Sequence, residues 1–252
     1  EYLKPNDTEQ VNANVYGDTK SRFEANADAN IHVSDRLSTI IHAHGEKSFG
    51  HHDDNHDGFL DQPRREQVNM QNRWKLVTDD YIMHAGISAM KDKREGGQLH
   101  DPNPYLITTD ADRYEAYMKH AFILNAERQE NIALMTNASL HKQDATYGNR
   151  QYGSNEKIVQ AQLMYEINFS DMHQLSAGSS LNHYYNNQTL SYYDMPPRFK
   201  EEETTAGIYT QYTLNVGSQM TVMAGLRADH SNLWNWFFTP RLHLKYSPSD
   251  LV

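Results

Sequence analysis

The run Asp53-Asp54-Asn55-His56-Asp57-Gly58-Phe59-Leu60-Asp61 is the stretch of the chain best suited to hold an ion. Hard cations such as calcium take oxygen ligands. Asp53, Asn55 and Asp57 offer oxygen side chains at alternate positions, and a tight turn at Gly58 would curl the backbone around the ion. The Phe59 carbonyl and Asp61 would complete part of the shell. An EF-hand needs Glu at the twelfth position, and counted from Asp53 that position is Arg64. The expectation is therefore a shorter calcium loop on a long polar connection; the plainer alternative is a solvated acidic turn. Histidine is the second chemical candidate, with 14 in the chain and His42, His44, His51, His52 and His56 inside one hairpin. His42 and His44 share a strand face, where they could chelate a transition metal or ligate haem, or serve as polar residues of a wet surface. No catalytic residues are assigned. The chain has no G-x-S-x-G, no H-E-x-x-H and no phosphate loop, although a glycosidase-type carboxylate pair stays open on sequence alone.

Composition narrows the setting. With 33 acidic and 23 basic residues the net charge is −10, which argues against nucleic acid as a partner. The absence of Cys removes disulfides and thiolate metal sites. Hydrophobic residues make up 38% and mean hydropathy is −0.83, low for a globular core. Yet 16 Tyr, 8 Phe and 3 Trp are too many aromatics for a disordered chain. No apolar run approaches the ~20 residues of a membrane-spanning helix, and no signal peptide is visible.

The elements that must position any site are strands. Phe23, Ala25, Ala27, Ala29, Ile31 and Val33 alternate with Glu24, Asn26, Asp28, Asn30 and His32. The same period of two runs through Val68 to Leu76, Val159 to Ile167, Leu175 to Leu181, Val222 to Ala228 and Phe238 to Tyr246. Segment 112–124 is rich in helix formers but is assigned to a strand from its neighbours. Short turns are expected at Ser34 to Arg36, Thr78 to Asp80, Ala126 to Glu130, Asp171 to Gln174, Gly217 to Gln219 and Ser247 to Asp250. Long polar loops are expected near 46–66, 92–111, 143–156 and 186–203.

The resulting expectation is an all-β, antiparallel up-and-down meander of about 11 long strands with one short-looped and one long-looped end. That is the form of a transmembrane β-barrel, whose composition looks polar because half of each strand faces water. The odd count, the lack of a starting Met and the ending just after a turn suggest a piece of a longer barrel. Arg73, Lys75, Arg227, Asp229, Arg241 and Lys245 fall on the polar, lumen-facing side, where an anionic ligand or a plug would meet them. Trp234, Trp236, Phe237 and Phe238 read as an aromatic girdle at a membrane interface, with ligand stacking as the alternative.

Specific stretches carry a family likeness. Phe237-Phe238-Thr239-Pro240-Arg241-Leu242-His243-Leu244-Lys245-Tyr246, preceded by Met223-Ala224-Gly225-Leu226-Arg227-Ala228-Asp229-His230, resembles mid-barrel strands of TonB-dependent outer-membrane receptors. Gly58 to Arg65 and Leu99 to Tyr105 are similar to the ferric-siderophore and colicin receptor type of Bacteroidetes. The likeness spans most of the chain, so residues 1–252 are taken as one partial barrel domain. It implies a barrel of about 22 strands when complete, without the plug domain, the TonB box and a closing C-terminal strand among these residues. It further implies an outer-membrane receptor for a scarce ligand, by default an iron-siderophore complex or haem. Its partners would be outer-membrane lipid and the TonB-ExbB-ExbD machinery, reached through a plug. The competing expectation is a soluble, secreted, calcium-stabilised β protein that binds carbohydrate; a passive porin-like barrel is a weaker third.

Overall fold

A computed structural model describes residues 10–191 and 198–247. Every regular element in it is a strand: β1 (Val11–Gly17), β2 (Arg22–His32), β3 (Leu37–Ser48), β4 (Arg64–Val77), β5 (Tyr81–Gly97), β6 (Leu106–Asn125), β7 (Glu130–Tyr147), β8 (Arg150–Ser170), β9 (His173–Ser191), β10 (Arg198–Val216), β11 (Met220–Ser231) and β12 (Asn235–Tyr246). They form one antiparallel sheet in strict sequence order, with β1 and β12 at its edges. Twelve strands thus stand where the sequence count gives about eleven. The ambiguous segment 112–124 lies inside β6.

Alternation has a physical consequence that the burial pattern makes visible. Residues paired across the ladder share a face. One face carries Val68, Met70, Ile87, Tyr114, Leu140, Val159, Leu181, Ile208 and Leu226, all large, apolar and exposed. The other carries Asn30, Glu46, Asp92, Asn186, Thr213 and Asp229, all polar and buried. Among the described residues the only buried hydrophobic side chains are Ile40, Ala133, Ala145 and Ile167. A soluble fold would have this arrangement reversed; an apolar outside and a polar inside is what a barrel wall in lipid requires. The soluble carbohydrate-binding alternative is displaced on this ground.

The two ends of the sheet differ. At one end, neighbouring strands are joined by residues 33–36, 78–80, 126–129, 171–172 and 217–219, all short turns expected from sequence. Of the last expected turn, only Ser247 lies within the described residues. At the other end the expected long loops shrink. Region 92–111 is β5 continuing to Gly97 and β6 starting at Leu106. Region 143–156 is β7 and β8 with only Gly148 and Asn149 between them. In region 186–203, β9 reaches Ser191 and β10 begins at Arg198, and residues 192–197 lie outside the described set. Among the described residues only 49–63 remain a long connection. The reason is that strands of 17–21 residues exceed the ~10 that cross a bilayer. Where the surplus stands in water on both faces the apolar alternation stops, although the hydrogen-bonded ladder continues.

Candidate functional site

The densest charge cluster lines the polar face of β2–β5 at the long-looped end. Arg22 Nε lies 3.1 Å from Glu46 Oε1, and Arg65 Nη1 donates to Glu46 Oε2 at 3.1 Å. Arg65 Nε donates to Asp92 Oδ1 at 2.9 Å, and Arg94 Nε to Asp92 Oδ2 at 2.7 Å. Arg22 also donates to Glu24 at 2.8 Å. Three guanidinium groups and two buried carboxylates therefore alternate across four strands. Glu46 and Asp92 have side chains only 6% and 10% exposed, whereas Arg22 and Arg94 at the ends are 40% and 48% exposed. The buried acids fix the arginines in place, and the terminal arginines keep N–H groups directed at water. An array of planar, permanently charged donors suits a carboxylate, phosphate or other oxygen-rich anion.

Glu46, Arg65, Asp92 and Arg94 do not stand out in the sequence, because they fall inside segments 46–66 and 92–111, which read as loops; Glu24 is on the polar face expected from sequence, and Arg22 lies just before that alternation. The usable signal was parity: Glu46 and Ser48, Arg65 and Gln67, and Asp92 and Arg94 sit two apart on one face.

A second, smaller cluster lies on the same face of β8–β11. Arg227 Nε donates to both oxygens of Asp229, at 3.0 and 2.7 Å, and Arg227 Nη2 donates to Ser180 Oγ at 2.6 Å. The Arg227 guanidinium lies 5.9 Å from the Tyr209 ring centre, and Gln162 Nε2 donates to the Tyr209 hydroxyl at 3.0 Å. Space for this group comes from missing side chains. A Cβ at Gly207 would lie 2.0 Å from Asp229 Oδ1, and one at Gly178 would lie 2.7 Å from the Tyr209 hydroxyl. Arg73, Lys75, Arg241 and Lys245 share this polar face by register, as expected.

The expected aromatic girdle is only partly right. Trp236 and Phe238 pair with His230 and Ala228 on the apolar face, and the Trp236 ring lies 5.0 Å from that of His230. Phe237 pairs with Asp229 and so belongs to the polar face. Trp234 lies in the turn after β11. Strict alternation forbids consecutive residues from sharing a face. A second aromatic row, unforeseen in the sequence, lies near the short turns: Trp74, Tyr81, Phe122, Tyr165, Tyr212 and Tyr246, all on the apolar face. The two rows bracket the apolar band, as amphipathic rings do at membrane interfaces. An amide, Asn72, also lies on this face. Asn72 Nδ2 donates to Thr39 Oγ1 at 2.8 Å and to the Ile40 carbonyl at 3.2 Å, and Trp74 Nε1 donates to Asn72 Oδ1. Its hydrogen-bonding capacity is used within the sheet, which is how an amide can face hydrocarbon.

The acidic turn is ordered by its own oxygens. Asp53 accepts from the Asp57 and Gly58 amides at 3.0 and 2.9 Å, Asn55 from the Asp57 amide at 3.1 Å, and Asp57 from the Phe59 amide at 2.9 Å. Asp61 accepts from the Asp54 amide at 2.8 Å. Phe59 bridges to Gln98, and the Leu60 amide donates to the Gly97 carbonyl at 2.9 Å, fastening the turn to the β5–β6 connection. Lys20 pairs with Asp54; this contact holds the Asp54 carboxyl below its usual pKa and Lys20 above its own. Among the described residues no group of three or more His, Asp or Glu side chains converges on one point for a metal. His42 and His44 do share the polar face, but each is tied through Nδ1, to Asp28 and, at 2.7 Å, to Asn26.

These features agree with what is found in known proteins. No curated protein sequence matches the chain. Solved structures do. The alcaligin outer-membrane receptor FauA from Bordetella pertussis matches 95% of the chain with a TM-score of 0.71 at 10% identity. The siderophore receptor PirA from Acinetobacter baumannii matches 96% with a TM-score of 0.66 at 15% identity, and the copper transporter OprC matches 94% with a TM-score of 0.71 at 12% identity. At such identities the likeness is one of fold. The chain spans 41%, 42% and 40% of those three structures. The family of TonB-dependent receptor-like β-barrels matches residues 5–252. With its apolar outer face, polar wall and unequal ends, the chain belongs to the TonB-dependent receptor-like β-barrel family of the bacterial outer membrane.

Proposed function

We propose that the chain forms part of the wall of a receptor that captures an anionic iron complex of the siderophore type and admits it to the outer membrane. The observation that carries this reading is the Arg22–Glu46–Arg65–Asp92–Arg94 ladder on the polar wall, at the level where the strands leave the membrane. Ferric siderophores present carboxylate, catecholate or hydroxamate oxygens, and the exposed ends of the ladder offer guanidinium donors to them. Haem is less well served, because His42 and His44 on that wall are already held by Asp28 and Asn26. Release inward would need a plug and energy delivered by TonB-ExbB-ExbD, partners of the longer protein. In this proposal the 53–61 turn is a calcium-binding element that stiffens the entrance. Each of its carboxylate oxygens retains a second lone pair after accepting a backbone amide.

The test is uptake and binding by the full-length receptor carrying Arg22→Ala and Arg94→Ala together. A panel of ferric siderophores would be titrated against intrinsic fluorescence, and radiolabelled iron uptake would be followed in cells. Loss of at least tenfold in affinity for one anionic complex is expected. Unchanged binding of every complex bound by the parent would remove the ladder from ligand capture. Terbium luminescence with and without Asp57→Asn tests the calcium element, and no difference between them would dismiss it.

A further inference from the structure

The run His42-Ala43-His44 lies within β3 and sets two imidazoles on the inner wall of the barrel. Residues two apart on a strand share a face, and their Cα atoms are about 6.6 Å apart. Each imidazole is held by the residue paired with it on β2. His42 pairs with Asp28 and meets its carboxylate through Nδ1. His44 pairs with Asn26 and meets Asn26 Oδ1 through Nδ1 at 2.7 Å. On the other side Gln71 and Asn69 of β4 are the register partners of His42 and His44, and they bring amide oxygens to the same two rows.

The partners fix where the ring hydrogens lie. A carboxylate only accepts, so Asp28 requires the hydrogen of His42 on Nδ1. The Asn26 amide is oriented from its far side. Its Nδ2 donates to Glu24 Oε1 at 2.9 Å, and Glu24 in turn accepts from Arg22 Nη2 at 2.8 Å. Asn26 therefore presents its oxygen to His44, and that ring also carries its hydrogen on Nδ1. In a neutral imidazole of this tautomer the lone pair is on Nε2. Among the described residues neither His42 nor His44 makes a hydrogen bond through Nε2. Glu46 Oε2 lies 4.0 Å from His44 Nε2 but already accepts from Arg65 Nη1 at 3.1 Å. The two imidazole side chains are 32% and 17% exposed, enough to leave an edge of each open to the lumen. A histidine that serves only as a wet wall residue needs neither nitrogen in particular. Here two neighbouring rings are held in one tautomer with the accepting nitrogen left over. Metal-binding histidines have this arrangement, in which an oxygen acceptor on one nitrogen fixes the ring and raises the basicity of the other.

We propose that His42 and His44 hold one divalent transition-metal ion on the barrel wall through their Nε2 atoms. Asp28 and Asn26 are the orienting partners, and oxygens of Asn69, Gln71 or water take the remaining positions. A set of two imidazole nitrogens with oxygens suits copper(II) or nickel(II). The ion is distinct from the calcium of the 53–61 turn, whose donors are all oxygens. Two imidazoles on one strand approach from one side, which a bare ion accepts; haem takes its axial ligands from opposite faces of its ring, so this pair does not serve it. Glu46 follows His44 by two residues on the same face, so the ion adds positive charge directly below the guanidinium ladder. That consequence for an anion moving inward rests on the ladder as the capture site; the metal site itself does not.

The experiment is copper(II) titration of the full-length receptor in detergent, with excess calcium present to fill oxygen-only sites. Binding is read by calorimetry, and the donor atoms by electron paramagnetic resonance. The parent should bind one copper more than the variant carrying His42→Gln with His44→Gln, and the difference spectrum should show coupling to two nitrogens. Each single substitution should weaken that copper at least tenfold and leave coupling to one nitrogen. Asp28→Ala should keep both nitrogens and weaken binding about tenfold, the scale for loss of a partner behind a metal ligand. Heat-modifiable migration would confirm that each variant has its barrel. Equal copper stoichiometry and equal spectra in the parent and the folded double variant would overturn the proposal. So would a difference spectrum without nitrogen coupling. Copper binding and ferric-siderophore binding are separate readouts on one protein, so failure of either reading leaves the other standing.

Discussion

The two charge clusters on the inner wall use opposite means to place arginine there. In the β2–β5 ladder the charges are shared. Glu46 serves Arg22 and Arg65, and Asp92 serves Arg65 and Arg94, so each buried acid ties two strands together. In the β8–β11 cluster the charge is private. Arg227 and Asp229 sit two residues apart on one strand, and neighbouring strands contribute a hydroxyl, a ring and the vacancies at Gly178 and Gly207. A shared carboxylate, once lost, leaves two guanidinium groups each short of one partner and unties the strands it joined; a private one leaves a single guanidinium, beside Ser180 and partly open to water. Energetic weight therefore follows the number of strands an acid joins, and the number of close contacts counts for less.

Substitution tests that distinction, beginning with the largest expected effect. Glu46→Gln should destabilise the full-length barrel by about 3 kcal/mol, the scale for removing one partner from a buried ion network, read as a lowered midpoint of denaturant unfolding in detergent. Gly207→Val should cost about 2 kcal/mol by overpacking against Asp229. Asp229→Asn should cost about 1.5 kcal/mol, the scale of a hydrogen bond to a charged group. If Asp229→Asn proves as damaging as Glu46→Gln in the same unfolding series, the contrast between shared and private acids is wrong. Asn72→Leu, on the lipid face, should change stability by only about 0.6 kcal/mol, the scale of a side-chain hydrogen bond between neighbouring membrane-spanning segments.

The smallest effect concerns pH and the outermost pair. Asp54 has a lowered pKa in the folded chain, so its contribution is present above the unfolded value and fades as pH falls through the folded one. Lys20 has a raised pKa, so its contribution is present below the unfolded value and fades as pH rises through the folded one. Amide exchange across 50–61 should therefore be slowest on a plateau between these limits. Both side chains are exposed, 43% and 66%, so the gain in protection should be slight. Exchange in that turn that ignores pH, after correction for its intrinsic rate, would mean that Lys20 does not hold Asp54 in solution.

The alternation from Val159 to Ile167 made the membrane-crossing part of β8 legible, because lipid on one side and water on the other imprint a period of two. The same strand from Arg150 to Lys157 was not legible: Gly153, Asn155 and Lys157 face outward into water, and Ser154 and Glu156 face inward. No contrast between faces remains there for a sequence to record. Arg227 and Asp229 were assigned to the inner wall correctly since they lie within the alternating zone. Glu46, Arg65 and Asp92 lie beyond it and were missed. Phe237 was misassigned because a cluster of aromatic letters outweighed its parity.

The strict neighbour order of the twelve strands also has a bearing on biogenesis. No strand waits for a partner from a distant part of the chain; each finds its mate across a connection of a few residues, or of 15 at most among the described ones, in 49–63. Loop closure then imposes little delay, and assembly of this region can proceed one hairpin at a time. The same neighbour-only wiring makes the hairpin a natural unit of genetic change. A pair of strands can be lengthened, as β7 and β8 are around Gly148 and Asn149, while the register of every other pair is preserved.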